Sequence, residues 1–185
     1  MAITNKDTRI VTGEVRASYA YVFEPRKEED GADEKYSMMI LIPKSDKATL
    51  AKIEKAVAAA KELGKSSKFG GKIPAKLNEP LRDGDEERPD EEVYEGMYFM
   101  NLSSKQKPGI VDKFKNIIDS ADDFYSGCYA KVSINFFPYN TNGNKGIAAG
   151  LNNILKTRDG DYLGGRSSAF DDFADEFDAD ADDLF

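Results

Sequence analysis

Two stretches near the C-terminal end, CYAKVSINFFPYN (residues 128–140) and KGIAAGLNNILKT (residues 145–157), flank the short sequence NTNGN (residues 140–144). The first stretch alternates in polarity with the period of two that is typical of β-strands. Asn and Gly readily adopt the positive φ angles of a tight two-residue turn. These residues therefore predict a β-hairpin, and this hairpin anchors the assignment of the other elements.

The first strand of this hairpin has two distinct faces. Small and apolar residues of one parity are predicted to face the core, namely Cys128, Ala130, Val132, Ile134 and Phe136. The other parity holds Tyr129, Lys131, Ser133, Asn135, Phe137 and Tyr139. Bases of a single nucleic-acid strand stack on aromatic rings at about 1–3 kcal/mol each, while cations bind the phosphates. The second face therefore predicts either a nucleic-acid interface or a surface that packs under a loop or against a second subunit.

Further strands precede the hairpin. RIVTGEVRASYAYVFEP (residues 9–25) alternates in polarity and predicts one long strand, while the apolar KYSMMILIP (residues 35–43) predicts a central one. MYFMNLS (residues 97–103) predicts a shorter strand. With the hairpin, this order predicts a mainly β fold, a small closed barrel with one embedded helix.

The embedded helix is predicted over SDKATLAKIEKAVAAAKELG (residues 45–64), with Ser45 or Asp46 as its cap and Gly64 at its end. LRDGDEERPDEEVYEG (residues 81–96) is polar and rich in turn-forming residues, and predicts a protruding arm or a mobile loop. Its carboxylates could in principle hold Mg²⁺ or Ca²⁺, but their spacing fits no EF-hand loop. A solvated loop is therefore the favoured interpretation for Asp83, Asp85, Glu86, Asp90, Glu91 and Glu92.

Spaced cations with an aromatic residue recur after the helix, in KSSKFGGKIPAK (residues 65–76), and again as two lysines in SSKQKPG (residues 103–109). A glycine-rich loop with spaced lysines can follow a phosphate backbone, although an ordinary solvated loop has the same composition. We predict phosphate contacts from Lys35, Lys65, Lys68, Lys72, Lys76, Lys105, Lys107, Lys131 and Lys145. We predict base stacking on Tyr36, Phe69, Tyr129, Phe137 and Tyr139, and either contact from Arg16.

The acidic character of the chain is concentrated at its end. Residues 171–185 contain 8 acids and no Lys or Arg. Removing these 8 from the total of 34 acids leaves 26, which equals the 26 Lys and Arg. The body is therefore charge-balanced, and the net charge of −8 does not argue against nucleic-acid binding.

This end is too charged and too poor in aliphatic residues to fold alone, so we predict a disordered acidic tail over residues 166–185 after a domain of residues 1–165. Alternating acids and Phe could mimic a nucleic-acid strand, with carboxylates in place of phosphates and rings in place of bases. The same end could dock on partner proteins, and a merely solubilising tail is the plain alternative. The predicted docking residues are Phe173, Phe177, Asp182, Asp183, Leu184 and Phe185.

Composition excludes several classes of site. The chain has no His and a single Cys, which excludes a His-dependent catalytic triad and a zinc site of Cys or His ligands. Cys128 is predicted to be a packed small side chain. Nothing in the sequence calls for a cofactor or a metal. No apolar run approaches about 20 residues and the N-terminus has no apolar signal stretch, so we predict a cytoplasmic protein without membrane contact.

Several stretches together resemble the single-stranded DNA-binding proteins of tailed bacteriophages. They are RASYAYVFEP, KYSMMILIPKSD, SSKQKPGIVD, DFYSGCYAKVSINFFPYNTNGNKGIAAGLNNI and the closing DDLF. The resemblance implies an OB-fold with an acidic C-terminal tail. It also implies a non-catalytic protein that coats single-stranded DNA without sequence preference in phage replication, recombination and repair, in the bacterial host cytoplasm. The tail would then recruit replication proteins such as a DNA polymerase or a helicase, and a homodimer is compatible with the sequence.

Two other functions remain as alternatives. The first is an acidic DNA mimic or interaction factor with no affinity of its own for single-stranded DNA. The second is a metal-dependent nuclease that uses the carboxylates of residues 81–96. A binding assay with an oligo-dT strand and a cleavage assay with Mg²⁺ or Mn²⁺ separate these alternatives from non-catalytic binding of single-stranded DNA.

Overall fold

The computed structural model describes residues 3–27, residues 33–163 and Phe173. The described residues form eight strands, one long helix, one four-residue helix and one short 3-10 helix. The strands are β1 (Arg9–Val11), β2 (Val15–Arg26), β3 (Lys35–Pro43), β4 (Arg82–Asp83), β5 (Met97–Ser104), β6 (Gly109–Val111), β7 (Tyr129–Thr141) and β8 (Asn144–Arg158). The helices are α1 (Lys47–Ser67), α2 (Gly84–Glu87) and the 3-10 helix Glu92–Tyr94.

Five of these strands form a closed ring, in the order β7, β2, β3, β5, β8 and back to β7. All neighbours in the ring are antiparallel except β5 and β8, which are parallel. This is the strand order of the OB-fold, a small five-stranded barrel of Greek-key type. The predicted fold class is confirmed.

The core lies inside this ring and under α1. On β7 the buried side chains are Ala130, Val132, Ile134 and Phe136, as the alternation predicted, and Cys128 is buried immediately before the strand. Burial raises the pKa of the Cys128 thiol, which disfavours the reactive thiolate. Helix α1 adds Ile53, Ala56, Val57 and Ala60 to the same core.

The helix begins as predicted but ends later. The Asp46 side chain accepts a hydrogen bond from the Thr49 backbone N–H (3.1 Å) and so caps the first turn. Gly64, expected to end the helix, lies one turn before its last residue, Ser67. Gly64 is buried, and a side chain at this position would collide with the ring of Phe69 and with Pro138. This glycine therefore serves close packing rather than termination.

The long strand predicted over residues 9–25 is divided in the structure. A break at residues 12–14 separates β1 from β2, and the pairing of β2 with β3 is irregular between Ser18 and Tyr21. Tyr19 lies in this irregular stretch with a positive φ of 45°. The alternation of the sequence is therefore shifted, and Tyr19 and Tyr21 are exposed although they share the parity of buried Val15 and Ala17.

The acidic arm over residues 81–96 is folded rather than protruding, which corrects the prediction. Lys44 Nζ donates hydrogen bonds to Asp83 (2.7 Å) and Asp85 (2.8 Å), and these bonds hold the pKa of both carboxyls below its usual range. The ring of Tyr94 packs edge-on against Phe99 at 5.2 Å between centres. The arm thus covers an apolar patch on the outside of the barrel, which is formed by Met39, Leu41, Tyr94 and Phe99.

The predicted hairpin is confirmed. β7 and β8 pair from Tyr129↔Arg158 to Thr141↔Asn144. Asn142 and Gly143 form the turn with φ angles of 52° and 88°, which suit Asn and Gly.

No helix within the described residues is long and apolar enough to cross a membrane.

Candidate nucleic-acid interface

The outer surface of the barrel carries a row of side chains that continues across its strands. Residues directly opposite each other in paired strands place their side chains on the same face of a sheet. Tyr21 pairs with Ser37, Ser37 with Ser103, Ser103 with Gly150, and Gly150 with Asn135. Their sequence neighbours Met38, Leu102, Leu151 and Ile134 are buried in the core. This row, here called the central row, therefore lies on the outside of the barrel.

The middle of the central row is made of small residues. Ser37 and Ser103 are half-buried and Gly150 is buried, and half-buried Ala148 and buried Gly146 continue the run of small residues along β8. A Cβ at Gly150 would approach Asn135 Oδ1 to 2.6 Å, so a larger residue would displace that side chain. The small residues form a floor between larger side chains on either side, and we call this feature the groove.

One wall of the groove is formed by two aromatic residues of β7. Phe137 pairs with Ala148 and is 42% exposed, and Tyr139 pairs with Gly146 and is half-buried. A Cβ at Gly146 would come within 2.7 Å of the Tyr139 hydroxyl oxygen, so the Tyr139 side chain lies across this glycine. Both rings were predicted to stack on bases, and both lie on the outer surface.

The other wall is formed by β2 and β3. Tyr21 is 39% exposed, and the guanidinium carbon of Arg26 lies 4.2 Å from the centre of its ring. Arg26 pairs with Lys35, which is exposed at the start of β3 on the same face as Ser37. Tyr36, by contrast, has the parity of the core residues of β3 and is half-buried, so the structure does not place it in this wall.

The lysine-rich loop after α1 lies beside the tip of the hairpin. Asn140 Nδ2 donates a hydrogen bond to the Lys68 carbonyl (3.1 Å). Asn78 donates its N–H to the Lys145 carbonyl and accepts from the Ile147 N–H, each at 3.0 Å. The structure therefore brings the loop next to Lys145 and Gly146. Lys68, Lys72 and Lys76 of the loop are exposed, as is Lys65 in the last turn of α1.

The prediction that Phe69 stacks on a base requires a correction, because the structure places this side chain in the core. Its side chain is 4% exposed and packs against Gly64. A base cannot stack on a ring that is enclosed in this way. The Phe69 ring instead anchors the lysine-rich loop to the barrel, with Gly70 and Gly71 following at positive φ.

Arg16 and Tyr129 are also engaged within the protein. The guanidinium carbon of Arg158 lies 3.7 Å from the centre of the Tyr129 ring, and that of Arg16 lies 5.5 Å away. Arg16 donates hydrogen bonds to the carbonyls of Gly127 and Asp161. This cluster lies at the end of the β7–β8 ladder opposite the hairpin tip. The structure therefore separates Arg16 and Tyr129 from the groove.

The remaining predicted cations differ in their surroundings. Lys105 forms an ion pair with Asp33 (3.0 Å), whose pKa this contact holds below its usual value. Lys65 lies 4.0 Å from Glu62 on the same helix. Lys107 and Lys131 are exposed, and among the described residues neither forms an ion pair within 4.0 Å. Lys131 pairs with Leu155 and so lies along β7 beyond Asn135, away from the hairpin tip.

Tyr21 and Arg26 belong to the groove but were not predicted as binding residues. Strict alternation assigns Tyr21 to the core, and only the irregular pairing around Tyr19 brings it to the surface. The signal for these two residues in the sequence was the presence of a tyrosine and an arginine at the two ends of YVFEPR (residues 21–26). Of the predicted docking residues in the tail, Phe173 is exposed, and Phe177, Asp182, Asp183, Leu184 and Phe185 lie outside the described residues.

The chain matches the family model of the Enterobacter phage Enc34 single-stranded DNA-binding protein over residues 8–185. The chain belongs to this family. A curated relative, the putative protein p50 of Acyrthosiphon pisum secondary endosymbiont phage 1, is 31% identical over 178 residues. That match covers 90% of this chain and 93% of the relative.

Solved structures agree with this assignment. The single-stranded DNA-binding protein of bacteriophage Enc34, solved in complex with single-stranded DNA, is 28% identical with a TM-score of 0.77. The match covers 86% of this chain and 91% of the Enc34 protein. The single-stranded DNA-binding protein gp2.5 of bacteriophage T7 shares the fold, with a TM-score of 0.60 at 17% identity over 93% of this chain and 96% of gp2.5.

Proposed function

We propose that this protein binds single-stranded DNA without sequence preference, with the groove as its binding site. The observation that carries the proposal is the arrangement of small residues between two aromatic walls, Phe137 and Tyr139 on one side and Tyr21 on the other. OB-folds bind oligonucleotides across the strands that correspond here to β3 and β5, and between the loops that flank them. Membership in the Enc34 family supports the same function.

The chemistry of the groove fits an unpaired strand. Every base has a π-face, so stacking on Phe137, Tyr139 and Tyr21 does not depend on the base. Small floor residues let the strand approach the sheet closely. Cations lie at both rims and can neutralise phosphates: exposed Lys35 and Arg26 at one, and exposed Lys68, Lys72 and Lys76 with half-buried Lys145 at the other. A duplex would present neither free bases nor this spacing of charges.

We propose a non-catalytic protein of the bacterial host cytoplasm that coats DNA during phage replication, recombination and repair. Two of the six acids considered as metal ligands, Asp83 and Asp85, are instead bound by Lys44. In residues 3–27 and 33–163, no group of three or more Asp, Glu or Cys side chains is arranged to hold a metal ion. Incubation of labelled DNA with Mg²⁺ or Mn²⁺ is expected to give no cleavage.

Binding should depend steeply on salt. Phosphate neutralisation releases counterions, and the slope of log K against log salt is about −0.7 for each phosphate of a single strand. With about four phosphates bound, a slope of about −3 is expected for a labelled oligo-dT strand in fluorescence anisotropy. A salt-independent affinity would contradict the electrostatic part of the proposal. No binding at low salt would instead favour the acidic DNA mimic.

We further propose that residues 166–185 act as an acidic tail that competes with DNA and docks replication proteins. The 8 carboxylates of residues 171–185 match the charge of a short DNA strand, and the interspersed Phe residues match its bases. A polymerase or helicase would be bound by the end that closes on Leu184 and Phe185. These roles rest on the charge and composition of the tail.

Deletion of residues 171–185 should tighten binding to oligo-dT at low salt, because it removes a tethered anionic competitor. The matched control keeps the tail length but replaces the 8 acids by Asn or Gln, and it should behave like the deletion. Competition by charge predicts that both differences shrink as salt is raised. If the truncated protein binds oligo-dT no better than the full chain at low salt, the competition proposal is wrong.

A further inference from the structure

A second basic feature lies between β1 and α1, outside the residues assigned to the groove. Here the chain forms a cleft with a volume of about 340 Å³, lined by Lys6, Asp7, Arg9, Ile10, Val11, Lys52, Lys55 and Ala56. This volume is within the range of about 300–1,000 Å³ that is usual for ligand sites. Four of the eight lining residues are cationic and only one is acidic.

These cations are available to a ligand. Among the described residues Lys6, Arg9, Lys52 and Lys55 have no ion-pair partner within 4.0 Å, whereas Lys44, Lys61 and Arg82 are each bound by an acid. The carboxylate of Asp7 is turned toward Thr4, accepting from its N–H (2.7 Å) and its hydroxyl (3.2 Å). Lys52 Nζ donates to the Val11 carbonyl at 3.1 Å and thereby lies at the edge of β1. The cleft therefore has a local excess of positive charge in a charge-balanced body.

The cleft is adjacent to the aromatic wall of the groove. Arg9 pairs with Asn135, and Asn135 pairs with Gly150, so Arg9 is two strand spacings, about 10 Å, from the groove floor. The Thr8 carbonyl accepts a hydrogen bond from Phe136 N–H (2.8 Å), which places the residues just before β1 next to the part of β7 that carries Phe137. A strand that leaves the groove over Phe137 therefore arrives at the cleft.

We propose that the cleft is a phosphate-binding extension of the groove, which holds the backbone of single-stranded DNA after it passes Phe137. This inference rests on the proposed function of the groove. The ligand chemistry is a phosphodiester bound by the side chains of Lys6, Arg9 and Lys55. The cleft has no exposed aromatic ring, so it contributes charge contacts and no stacking. It lengthens the binding site by the nucleotides that span from Phe137 to Lys55.

The acidic tail is a second anion that could enter such a cleft. DNA is favoured because the cleft continues the cross-strand row of the groove at Arg9. An acidic peptide rich in Phe would in addition need an apolar pocket for its rings, but Ile10 and Ala56 are mostly buried in the core and Val11 is the one exposed apolar residue of the cleft. Tail binding is therefore treated as an outcome of the test.

The test compares Lys6→Gln/Lys55→Gln with Lys47→Gln/Lys113→Gln, a control that removes the same charge from exposed lysines outside the cleft. Both are measured by anisotropy with oligo-dT strands from about 4 to 20 nucleotides, a range that brackets the site sizes of OB-folds. For long strands the cleft variant should lose about 1.4 from the magnitude of the salt slope, or about 0.7 per lysine. For the shortest strands it should bind like the unmodified protein.

Each other result has a definite meaning. Equal losses for the cleft and control variants, or losses that do not depend on strand length, overturn the extension and leave the groove intact. If the cleft variant binds all strands normally but no longer responds to deletion of residues 171–185, the cleft holds the tail instead. If the unmodified protein binds no strand of any length, the proposed function itself fails and the extension fails with it.

Discussion

Replacing Phe137 and Tyr139 together by alanine is expected to weaken binding to oligo-dT at least about 30-fold. Each ring that stacks on a base contributes about 1–3 kcal/mol, and 2 kcal/mol corresponds to about a 30-fold change in affinity. The loss should be almost the same at every salt concentration, because stacking releases no counterions. Anisotropy titrations of the double variant across a salt series measure both quantities.

Stability should change little in this variant, because Phe137 is 42% exposed and Tyr139 is only half-buried. Phe114→Ala is the matched control, since Phe114 is 75% exposed on the turn that follows β6, away from the groove. The control should bind oligo-dT like the unmodified protein. A clear fall in the melting temperature of the double variant, or equal losses for both variants, would show that Phe137 and Tyr139 do not act as base platforms.

Replacing Phe69 by alanine is expected to lower the free energy of unfolding by about 3–5 kcal/mol, as for other buried Phe residues. The ring is 4% exposed and belongs to the main core cluster. Its removal leaves a cavity beneath the lysine-rich loop and against Gly64. Urea unfolding measures the loss, and Ile73→Ala, in the same loop but 36% exposed, should cost much less.

A different outcome would support the base-stacking role that the sequence predicted for Phe69. That role requires the Phe69→Ala protein to unfold at the same urea concentration as the unmodified protein and to lose affinity for oligo-dT. With Phe69 in the core, affinity measured well below the melting temperature should change little. The two measurements together therefore separate an anchor of the loop from a contact to DNA.

The hairpin and its two faces were predictable because the signals there agree. Strict alternation from Ala130 to Phe137, and an Asn-Gly turn, define one register in which a shift by one residue would bury Lys131. The barrel could be inferred from the number and order of strands. The identity of the two aromatic residues in the β7 wall followed directly from this register.

The other wall was not predictable from alternation. Irregular pairing between Ser18 and Tyr21 inserts an extra residue into β2 and reverses the face of Tyr21, and a second irregularity between Tyr21 and Arg26 shifts the pairing again. Tyr21 therefore reaches the surface against the pattern, whereas Arg26 has the parity that the alternation already assigns to the exposed face. Nothing in a sequence of tyrosines and alanines indicates where such a bulge lies, because small residues and Tyr are tolerated on both faces.

Composition also led to a wrong prediction of solvent exposure for two loops. The acidic arm was predicted to be solvated because its charges outnumber its apolar residues, yet Tyr94 packs against Phe99 and Lys44 binds Asp83 and Asp85. In the lysine-rich loop the same reasoning predicted that Phe69 is exposed. Phe69 belongs to no periodic pattern of apolar residues that would indicate its burial. In each loop one aromatic side chain, Tyr94 or Phe69, is buried, and a single residue carries no periodicity.

The central claim is that single-stranded DNA lies in the groove between Tyr21 and the β7 aromatics, and photocrosslinking tests it most directly. Oligo-dT strands with 5-iododeoxyuridine at single positions would be irradiated with the full chain, and the linked residues identified by mass spectrometry. The groove predicts crosslinks to Phe137, Tyr139 and Tyr21. Efficient crosslinks confined to Phe114, Tyr129 or Tyr162, or none under conditions where anisotropy shows binding, would contradict it.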